Sequence, residues 1–229
     1  MSKPLELPTS SSAEMMRMAE LGMLSAGLVH ELRQPLFAVK AFGELIRHQP
    51  QEAEQHAQRL LEQVQAIEDL LEGYADFSRK PQGDLELFDV RAPLRSALVL
   101  LERRAWAAGV QLSVQLGEVP LVRGSRLALQ QAVVNLGANA VDAVRGTEGG
   151  RIDVRCLQET RGVRVEVQDN GPGIPDSIRN QLFIPFQTTK ATGTGLGLSL
   201  SHRWLTATDA ELHLLPGPGT HWEILLQAA

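Results

Sequence analysis

Two long runs of apolar residues at helical spacing open the chain. In the first, apolar side chains recur every three or four residues, at Leu21, Leu24, Leu28, Leu32, Leu36, Val39, Phe42 and Ile46. In the second they recur at Ala53, Ala57, Leu60, Val64, Ile67, Leu71, Tyr74 and Phe77. This spacing places each set on one stripe of an α-helix. Pro50, in "RHQPQE", separates the runs, so the pattern predicts two long helices joined by a short turn.

A single helical hairpin cannot hide both of its apolar stripes from water. Pairing with a second copy of the chain, as a four-helix bundle, would cover both stripes. The pattern therefore predicts a homodimer that associates through the hairpin.

Beyond "SRKPQGD", residues 78–84, strand-like and helical stretches alternate. Strands are predicted in "DLELFDV", "VQLSVQL", "RIDVRCLQ", "RVEVQD" and at both ends of "ELHLLPGPGTHWEILLQ". Helices are predicted over 91–108, in "RLALQQAVVNLGANAVDAV" and after the last glycine-rich stretch. The mixture predicts an α+β two-layer sandwich, with helices on one face of a mixed sheet. We expect a flexible lead (1–12), a helical-hairpin domain (13–80) and an α+β domain (84–229).

Composition narrows the functional classes. The chain has 229 residues, 43% hydrophobic and 21% charged, which is typical of a globular protein. A net charge of -5 argues against a general nucleic-acid binder. No stretch approaches the ~20 consecutive apolar residues of a membrane span, so we expect no membrane insertion. The single cysteine, Cys156, allows no intramolecular disulfide and indicates the cytoplasm.

Two motifs of the second domain carry polar side chains in apolar surroundings. In "VVNLGANAVDA", Asn135 and Asn139 lie one turn apart on a predicted helix, facing either a neighbouring loop or a cation and phosphates. In "VQDNGPGIP", Asp169 ends a predicted strand just before Gly171 and Gly173. Alone, the second motif is also explained by an ordinary turn.

A third motif, "TTKATGTGLGLSLS", leads three glycines directly into a predicted helix. Glycines let backbone N–H groups approach phosphate oxygens closely at the positive end of a helix. In order, N-x-x-x-N-A-x-x-A, D-x-G-x-G-I, "FIPFQTTK" and G-T-G-L-G-L resemble the N, G1, F and G2 boxes of bacterial sensor histidine kinases. These kinases are Bergerat-fold ATPases of the GHKL superfamily, and the resemblance covers roughly residues 85–227.

The resemblance implies ATP and Mg²⁺ as cofactors and assigns roles to individual residues. Asp169 would accept a hydrogen bond from the adenine amino group, and Gly173 would keep the base pocket open. Asn139 would hold Mg²⁺, Asn135 would support it, and Lys190 would approach the phosphates. The remaining ATP-binding residues that it implies are Asp142, Gly171, Phe186, Thr189, Gly193, Thr194, Gly195, Leu196 and Gly197. We interpret the segment from Ile174 to Gly193 as a lid over the nucleotide, with Phe183 and Phe186 anchoring it by packing.

The stretch "HELRQPL", residues 30–36, lies on the first helix. His30 is about 200° around that helix from Leu28 and from Leu32, so it should face solvent. The stretch resembles the H box, in which the histidine accepts the γ-phosphoryl group of ATP and Glu31 would accept its ring proton. Pro35 lacks an N–H group and should kink the helix there. Gln34 would position water for removing phosphate from a regulator.

The resemblance therefore implies an ATP-dependent protein histidine autokinase of the nitrogen-regulation and dicarboxylate-sensor type. It would phosphorylate its own His30 and pass the phosphoryl group to an aspartate of a separate response regulator. Two alternatives remain at this point: a non-signalling Bergerat ATPase, and a degenerate kinase acting as a dimeric scaffold. Asn135 disfavours the first, because those ATPases carry a glutamate there. The intact glycine motif disfavours the second.

Overall fold

A computed structural model describes residues 10–78, 85–188, 190 and 193–228. Their contacts divide the chain into two compact units. The first unit comprises Met1–Ser78 together with Pro185–Leu196, and the second comprises Arg79–Ile184 together with Gly197–Ala229. The short segment Pro185–Leu196 thus groups with the helices, although the sequence places it within the α+β domain.

The first unit is the expected helical hairpin. Helix α1 spans Ser10–His48, a single 3₁₀ turn spans Pro50–Glu52, and helix α2 spans Ala53–Ser78. The hydroxyl groups of Ser25 and Tyr74 lie 2.8 Å apart and join the two helices. Pro35 is buried inside α1, which continues past it.

The apolar stripes of the hairpin are only partly covered. Leu28, Leu32 and Val39 are half-buried, whereas Leu36 is 54% exposed despite its place on the predicted stripe. Phe37 and Leu61 are 66% and 60% exposed. The hairpin therefore keeps apolar surface that its own helices do not cover. The side chains of Leu21, Leu24 and Phe77, which belong to the predicted stripes, lie outside the described residues.

The second unit confirms the α+β prediction. Its elements, in chain order, are β1 (Glu86–Phe88), α3 (Arg91–Ala108), β2 (Gln111–Leu116), β3 (Val122–Gly124), α4 (Arg126–Val144), β4 (Arg151–Glu159), β5 (Gly162–Asp169), α5 (Asp176–Arg179), α6 (Gly197–Thr206), β6 (Glu211–Leu215) and β7 (His221–Gln227). The sequence predicts neither β3 nor α5. With three and four residues, they are too short to show a hydrophobic period.

One mixed sheet carries the second unit. Its strand order is β2-β4-β5-β7-β6, with β2 and β4 parallel and the other pairs antiparallel. Strands β1 and β3 form a separate antiparallel pair. Helix α4 packs against α3, α6, β4 and β5 and is central to the helical layer. Across the sheet, Cys156, Val165, Ile224 and Leu212 are in register and buried, and they form a row of the core.

The opposite face of the sheet carries charges. Glu166 of β5 and Glu223 of β7 are directly opposite each other, and both are buried. Arg164 lies 3.5 Å from Glu166 and 3.3 Å from Glu223, and Arg155 lies 3.5 Å from Glu166. Two carboxylates directly opposite each other repel, and the positive charges of the two arginines offset this repulsion.

Candidate functional site

Asp169, the last residue of β5, is held by two backbone turns. It is 4% exposed, and its Oδ1 accepts hydrogen bonds from the N–H groups of Gly171 at 2.9 Å and Thr220 at 3.1 Å. Its own N–H donates to the carbonyl of Thr220 at 2.9 Å. Within the described part of the chain, no hydrogen bond is made to Oδ2 of Asp169. This carboxylate is fixed in place and has an oxygen available to a ligand donor.

Glycines allow these two turns to approach Asp169. Gly173 has a φ of +74°, and a Cβ atom there would lie 2.9 Å from the carbonyl oxygen of Gly219. A Cβ atom on Gly171 would lie 2.9 Å from Oδ1 of Asp169. Gly219 has a φ of +72°, and a Cβ atom there would overlap the carbonyl oxygen of Asp169. Side chains at these positions would push both turns away from the carboxylate.

Gly219 and Thr220 contribute to this site although the sequence does not single them out. They lie in "PGPGTH", which the sequence indicates only as a turn between two strands. Their relation to Asp169 depends on the pairing of β5 with β7. Asn170 is a further residue without a predicted role. Its amide accepts from the N–H of Arg151 at 2.7 Å and donates to the carbonyl of Gly149 at 2.9 Å.

The two asparagines of α4 are half-buried. The amide nitrogen of Asn135 donates to the hydroxyl of Ser201 on α6 at 3.1 Å, and this hydroxyl donates to the carbonyl of Gly197 at 3.0 Å. A Cβ atom on Gly197 would overlap the Asn135 side chain. Asn135 therefore supports the first turn of α6, the helix that follows the glycine motif. Asn139 lies one turn further along α4.

Asp142 joins two helices and belongs to an ion-pair group. Its carboxylate lies 3.0 Å from Arg104 of α3 and 3.4 Å from Arg145. These ion pairs give the Asp142 carboxylate a structural role in joining α3 to α4. The contribution of Asp142 to ATP binding stays a prediction.

The half-buried amide of Asn139 on α4 offers an oxygen donor, the type of ligand that Mg²⁺ prefers. The described residues contain no group of three or more His, Cys, Asp or Glu that could hold a metal ion. Mg²⁺ keeps several waters and is bound through few protein oxygens together with substrate phosphates. The single amide oxygen of Asn139 suits that type of coordination.

Phe183, in the middle of the predicted lid, makes an aromatic contact. The ring of Phe183 stacks on His202 of α6, with centroids 4.1 Å apart, and lies 6.2 Å from the ring of Trp222. Burial lowers the pKa of His202, and the nearby His213 adds to this. The neutral imidazole is therefore favoured beneath Phe183.

Described residues of the glycine motif and of the stretch before it are joined by backbone hydrogen bonds. The N–H of Phe186 donates to the carbonyl of Gly195 at 3.1 Å, although Phe186 has a φ of +65°. Gly195 also has a φ of +65°, and a Cβ atom there would lie 2.5 Å from the carbonyl carbon of Phe186. The N–H of Gly193 donates to the carbonyl of Lys190 at 3.3 Å. Thr189, which the resemblance assigns to ATP binding, lies outside the described residues.

The H-box residues lie on α1 of the first unit. His30 and Gln34 are exposed, and Glu31 is half-buried. Of the predicted site residues, the structure brings Asp169, Gly171 and Gly173 together, and Asn135 with Gly197. Lys190 and the stretch 193–196 group with the helices in the first unit. In the part of the chain that is described, no helix is long and apolar enough to cross a membrane.

Two family profiles match the chain. Residues 20–83 match the His Kinase A (phospho-acceptor) domain, and residues 124–229 match the histidine kinase-, DNA gyrase B-, and HSP90-like ATPase. The C4-dicarboxylate transport sensor protein DctB of Rhizobium meliloti (strain 1021) is 34% identical, over 93% of this chain and 35% of that protein. The signal transduction histidine-protein kinase AtoS of Escherichia coli (strain K12) is 31% identical, over 93% of this chain and 36% of that protein. The chain thus spans about a third of these relatives.

Solved structures show the same fold. The histidine kinase ThkA in complex with the response regulator protein TrrA aligns with a TM-score of 0.78 and 21% identity, over 99% of this chain and 68% of that one. The catalytic domain of ThkA alone aligns with a TM-score of 0.56 and 26% identity, over 63% of this chain and 95% of that one.

Proposed function

The chain belongs to the two-component sensor histidine kinases, and on that premise we propose that it is an ATP-dependent autokinase of His30. The phosphoryl group then passes to an aspartate of a separate response regulator. The observation that carries the ATP-binding half is Asp169, which is fixed by two turns and retains an oxygen for a donor. The observation that supports the acceptor half is the exposure of His30 beside Glu31.

Asp169 recognises the base in this proposal. Its Oδ2 accepts a hydrogen bond from the adenine amino group, which lets the site prefer ATP over nucleotides without an amino group at that position. The resemblance assigns Gly173 to keeping the base pocket open, and the glycine at 219 lets its turn approach Asp169 closely.

The phosphates are bound by residues from both sides of the glycine motif. Backbone N–H groups of the loop around Gly193, Thr194, Gly195 and Leu196 face phosphate oxygens, and Lys190 adds a positive charge. Asn139 binds Mg²⁺, while Asn135 supports the start of α6 through Ser201. Mg²⁺, when bound, neutralises phosphate charge during transfer.

His30 supplies the nucleophile. The neutral form of an imidazole presents one unprotonated ring nitrogen that can act as a nucleophile. That nitrogen forms the bond to the γ-phosphorus as the bond between phosphorus and the bridging oxygen of ADP breaks. Glu31 accepts the proton from the other ring nitrogen, so that the phosphorylated ring becomes neutral. Gln34, on the same exposed turn, positions water when the response regulator is dephosphorylated.

The assembly that we propose is a homodimer in the cytoplasm. Exposed apolar side chains at Leu36, Phe37 and Leu61 support pairing through the hairpin, where a second copy would bury them. The free, buried thiol of Cys156 agrees with a reducing compartment. A receiver domain of a response regulator would approach the hairpin from the side on which His30 is exposed.

Incubation with γ-labelled ATP and Mg²⁺ tests the proposal. The wild-type chain should acquire acid-labile, base-stable label, and His30→Gln should acquire none. His48→Gln is the matched control, because His48 is an exposed histidine on the same helix. Equal labelling of His30→Gln and wild type would refute phosphorylation of His30. Absence of label on the wild type, with ATP still bound, would instead favour a scaffold.

A further inference from the structure

Two interior glycines of the hairpin contact the segment Pro185–Leu196, which belongs to the same compact unit. A Cβ atom added to Gly27 of α1 would lie 2.7 Å from Cδ2 and 2.8 Å from Cε2 of Phe186. A Cβ atom added to Gly73 of α2 would lie 2.8 Å from Cδ1 of Leu196. Carbon atoms do not approach so closely without displacement. Only glycine lets these two side chains rest directly on the helix backbones.

Helix stability alone does not explain these glycines. Glycine inside a helix destabilises it by roughly 0.5–1 kcal/mol relative to alanine. Gly43 of α1 shows the contrast, because a Cβ atom there would meet nothing within 4 Å. Gly27 and Gly73 carry the same helical cost, but each provides a contact that alanine would obstruct.

A backbone hydrogen bond connects the two contacts. Phe186 donates its N–H to the carbonyl of Gly195 at 3.1 Å, and Leu196 follows Gly195 directly. Leu196 is 1% exposed, so its side chain is buried where it meets Gly73. Phe186 keeps a φ of +65°, a conformation that is costly for an aromatic residue and that the hydrogen bond to Gly195 helps to hold. The hydrogen bond between Phe186 and Gly195 therefore ties together two contacts: Phe186 packs on α1, and Leu196 packs on α2.

The contact on α1 lies next to the acceptor histidine. Gly27 precedes His30 by three residues, which is about one helical turn. Leu196 ends the loop that the proposed function assigns to the phosphates. We propose that Gly27 and Gly73 are positioning residues for autophosphorylation: by receiving Phe186 and Leu196, they hold the phosphate-binding loop beside the helix turn that carries His30. This inference rests on the proposed function.

Alanine substitutions test the proposal on the intact chain. Gly27→Ala and Gly73→Ala should each lower the initial rate of His30 labelling at least tenfold, while the affinity for a fluorescent ATP analogue stays within twofold of wild type. Gly43→Ala, the matched control, should label like wild type. All three substitutions favour the helix, so none should lower the helix content measured by circular dichroism. Less helix in Gly27→Ala and Gly73→Ala than in wild type would assign these glycines to hairpin folding and overturn the proposal.

Trypsin provides a readout that does not depend on kinase activity. Lys190 is the only Lys or Arg between Arg179 and Arg203, so cleavage after it reports on this segment alone. Gly27→Ala and Gly73→Ala should speed cleavage after Lys190 at least threefold, and Gly43→Ala should not. If wild type fails to label, the proposed function fails and the positioning role fails with it. The cleavage rates then still show whether the contact exists.

A second substitution at Phe186 shows whether the effect of Gly27→Ala arises from the contact between these two residues or from a general change in the helix. In Gly27→Ala the added methyl group meets the edge of the Phe186 ring, so Phe186→Leu should recover part of the labelling rate. The double variant should label at least threefold faster than Gly27→Ala alone. Labelling of Gly27→Ala and Gly73→Ala at the rate of Gly43→Ala, a loss of nucleotide affinity in either, or no recovery in the double variant would overturn the proposal.

Discussion

In the proposed function, Asp169 is the side chain on which recognition of the adenine base depends most directly. A hydrogen bond to a charged group contributes about 1.5–3 kcal/mol, which is roughly a ten- to hundredfold effect on affinity. We expect Asp169→Asn to weaken ATP binding by that factor, because an amide has a single accepting oxygen, and its NH₂ group would face either the two backbone N–H groups or the adenine amino group. Lys190→Ala should cost at most about 1 kcal/mol, as exposed ion pairs do. Titration calorimetry with ATP compares the two variants.

The control for this comparison lies on the hairpin. Asp69→Asn changes an exposed carboxylate of α2 whose one hydrogen bond within the described residues comes from Gln65, so this variant should bind ATP like wild type. Equal affinities for Asp169→Asn and Lys190→Ala would show that the adenine lies elsewhere.

The reactivity of the Cys156 thiol tests whether this part of β4 is buried in the core. Burial raises the pKa of its thiol to about 11, so the neutral form persists in the folded chain. Stability from this group is complete below the unfolded pKa, near 9, and is lost as pH rises through about 11. At pH 8 we expect iodoacetamide to react at least a hundredfold more slowly with the native chain than with the chain in urea. Similar rates would place Cys156 outside the core.

At the scale of single residues, the sequence indicates which side chains belong to the site better than it indicates which distant residues they contact. Asp169, Gly171 and Gly173 follow one another closely, so their shared turn can be predicted from local pattern. Thr220 lies 51 positions from Asp169 and meets it only because β5 pairs with β7. No local pattern carries that information. The contact of Phe186 with Gly27 is hidden for the same reason.

At the scale of elements, the charged face of the sheet makes a further test possible. Arg164→Met would leave Glu166 and Glu223 opposite each other with less compensation, and we expect a loss of about 2–3 kcal/mol in the free energy of unfolding. Urea unfolding followed by fluorescence measures this change. Arg161→Met, at an exposed turn position, should change stability by less than about 0.5 kcal/mol. Similar losses for both variants would mean that Arg164 does not stabilise the carboxylate pair.

The helices of the second unit are predicted more accurately than its strands. α3 and α4 match their predicted ranges, because a long apolar period defines each of them. Gly109 also ends α3 in the left-handed conformation, with a φ of +69°, and Ser125 caps α4 by accepting from the N–H of Ala128. Strand β3 has no such signals, and its existence depends on pairing with β1.

At the scale of the whole molecule, association through the hairpin is the property to measure. We expect light scattering to give the mass of two chains for wild type and of one chain for Leu61→Glu, because a charge there cannot be buried between copies. Val99→Glu is the control, since Val99 is 53% exposed on α3 of the other unit. A dimer that persists in Leu61→Glu would place the interface away from this part of α2.

The strand order of the sheet also dictates when the second unit can fold during synthesis. β7 lies between β5 and β6, so β6 has no partner in the sheet until β7 has formed. Thr220, which fixes Asp169, is made only just before β7. During synthesis α1 and α2 of the hairpin therefore emerge before the residues that fix Asp169 are made. In the proposed function ATP binding needs Asp169 in place, so we expect it only once β7 has paired with β5 and Thr220 holds the carboxylate.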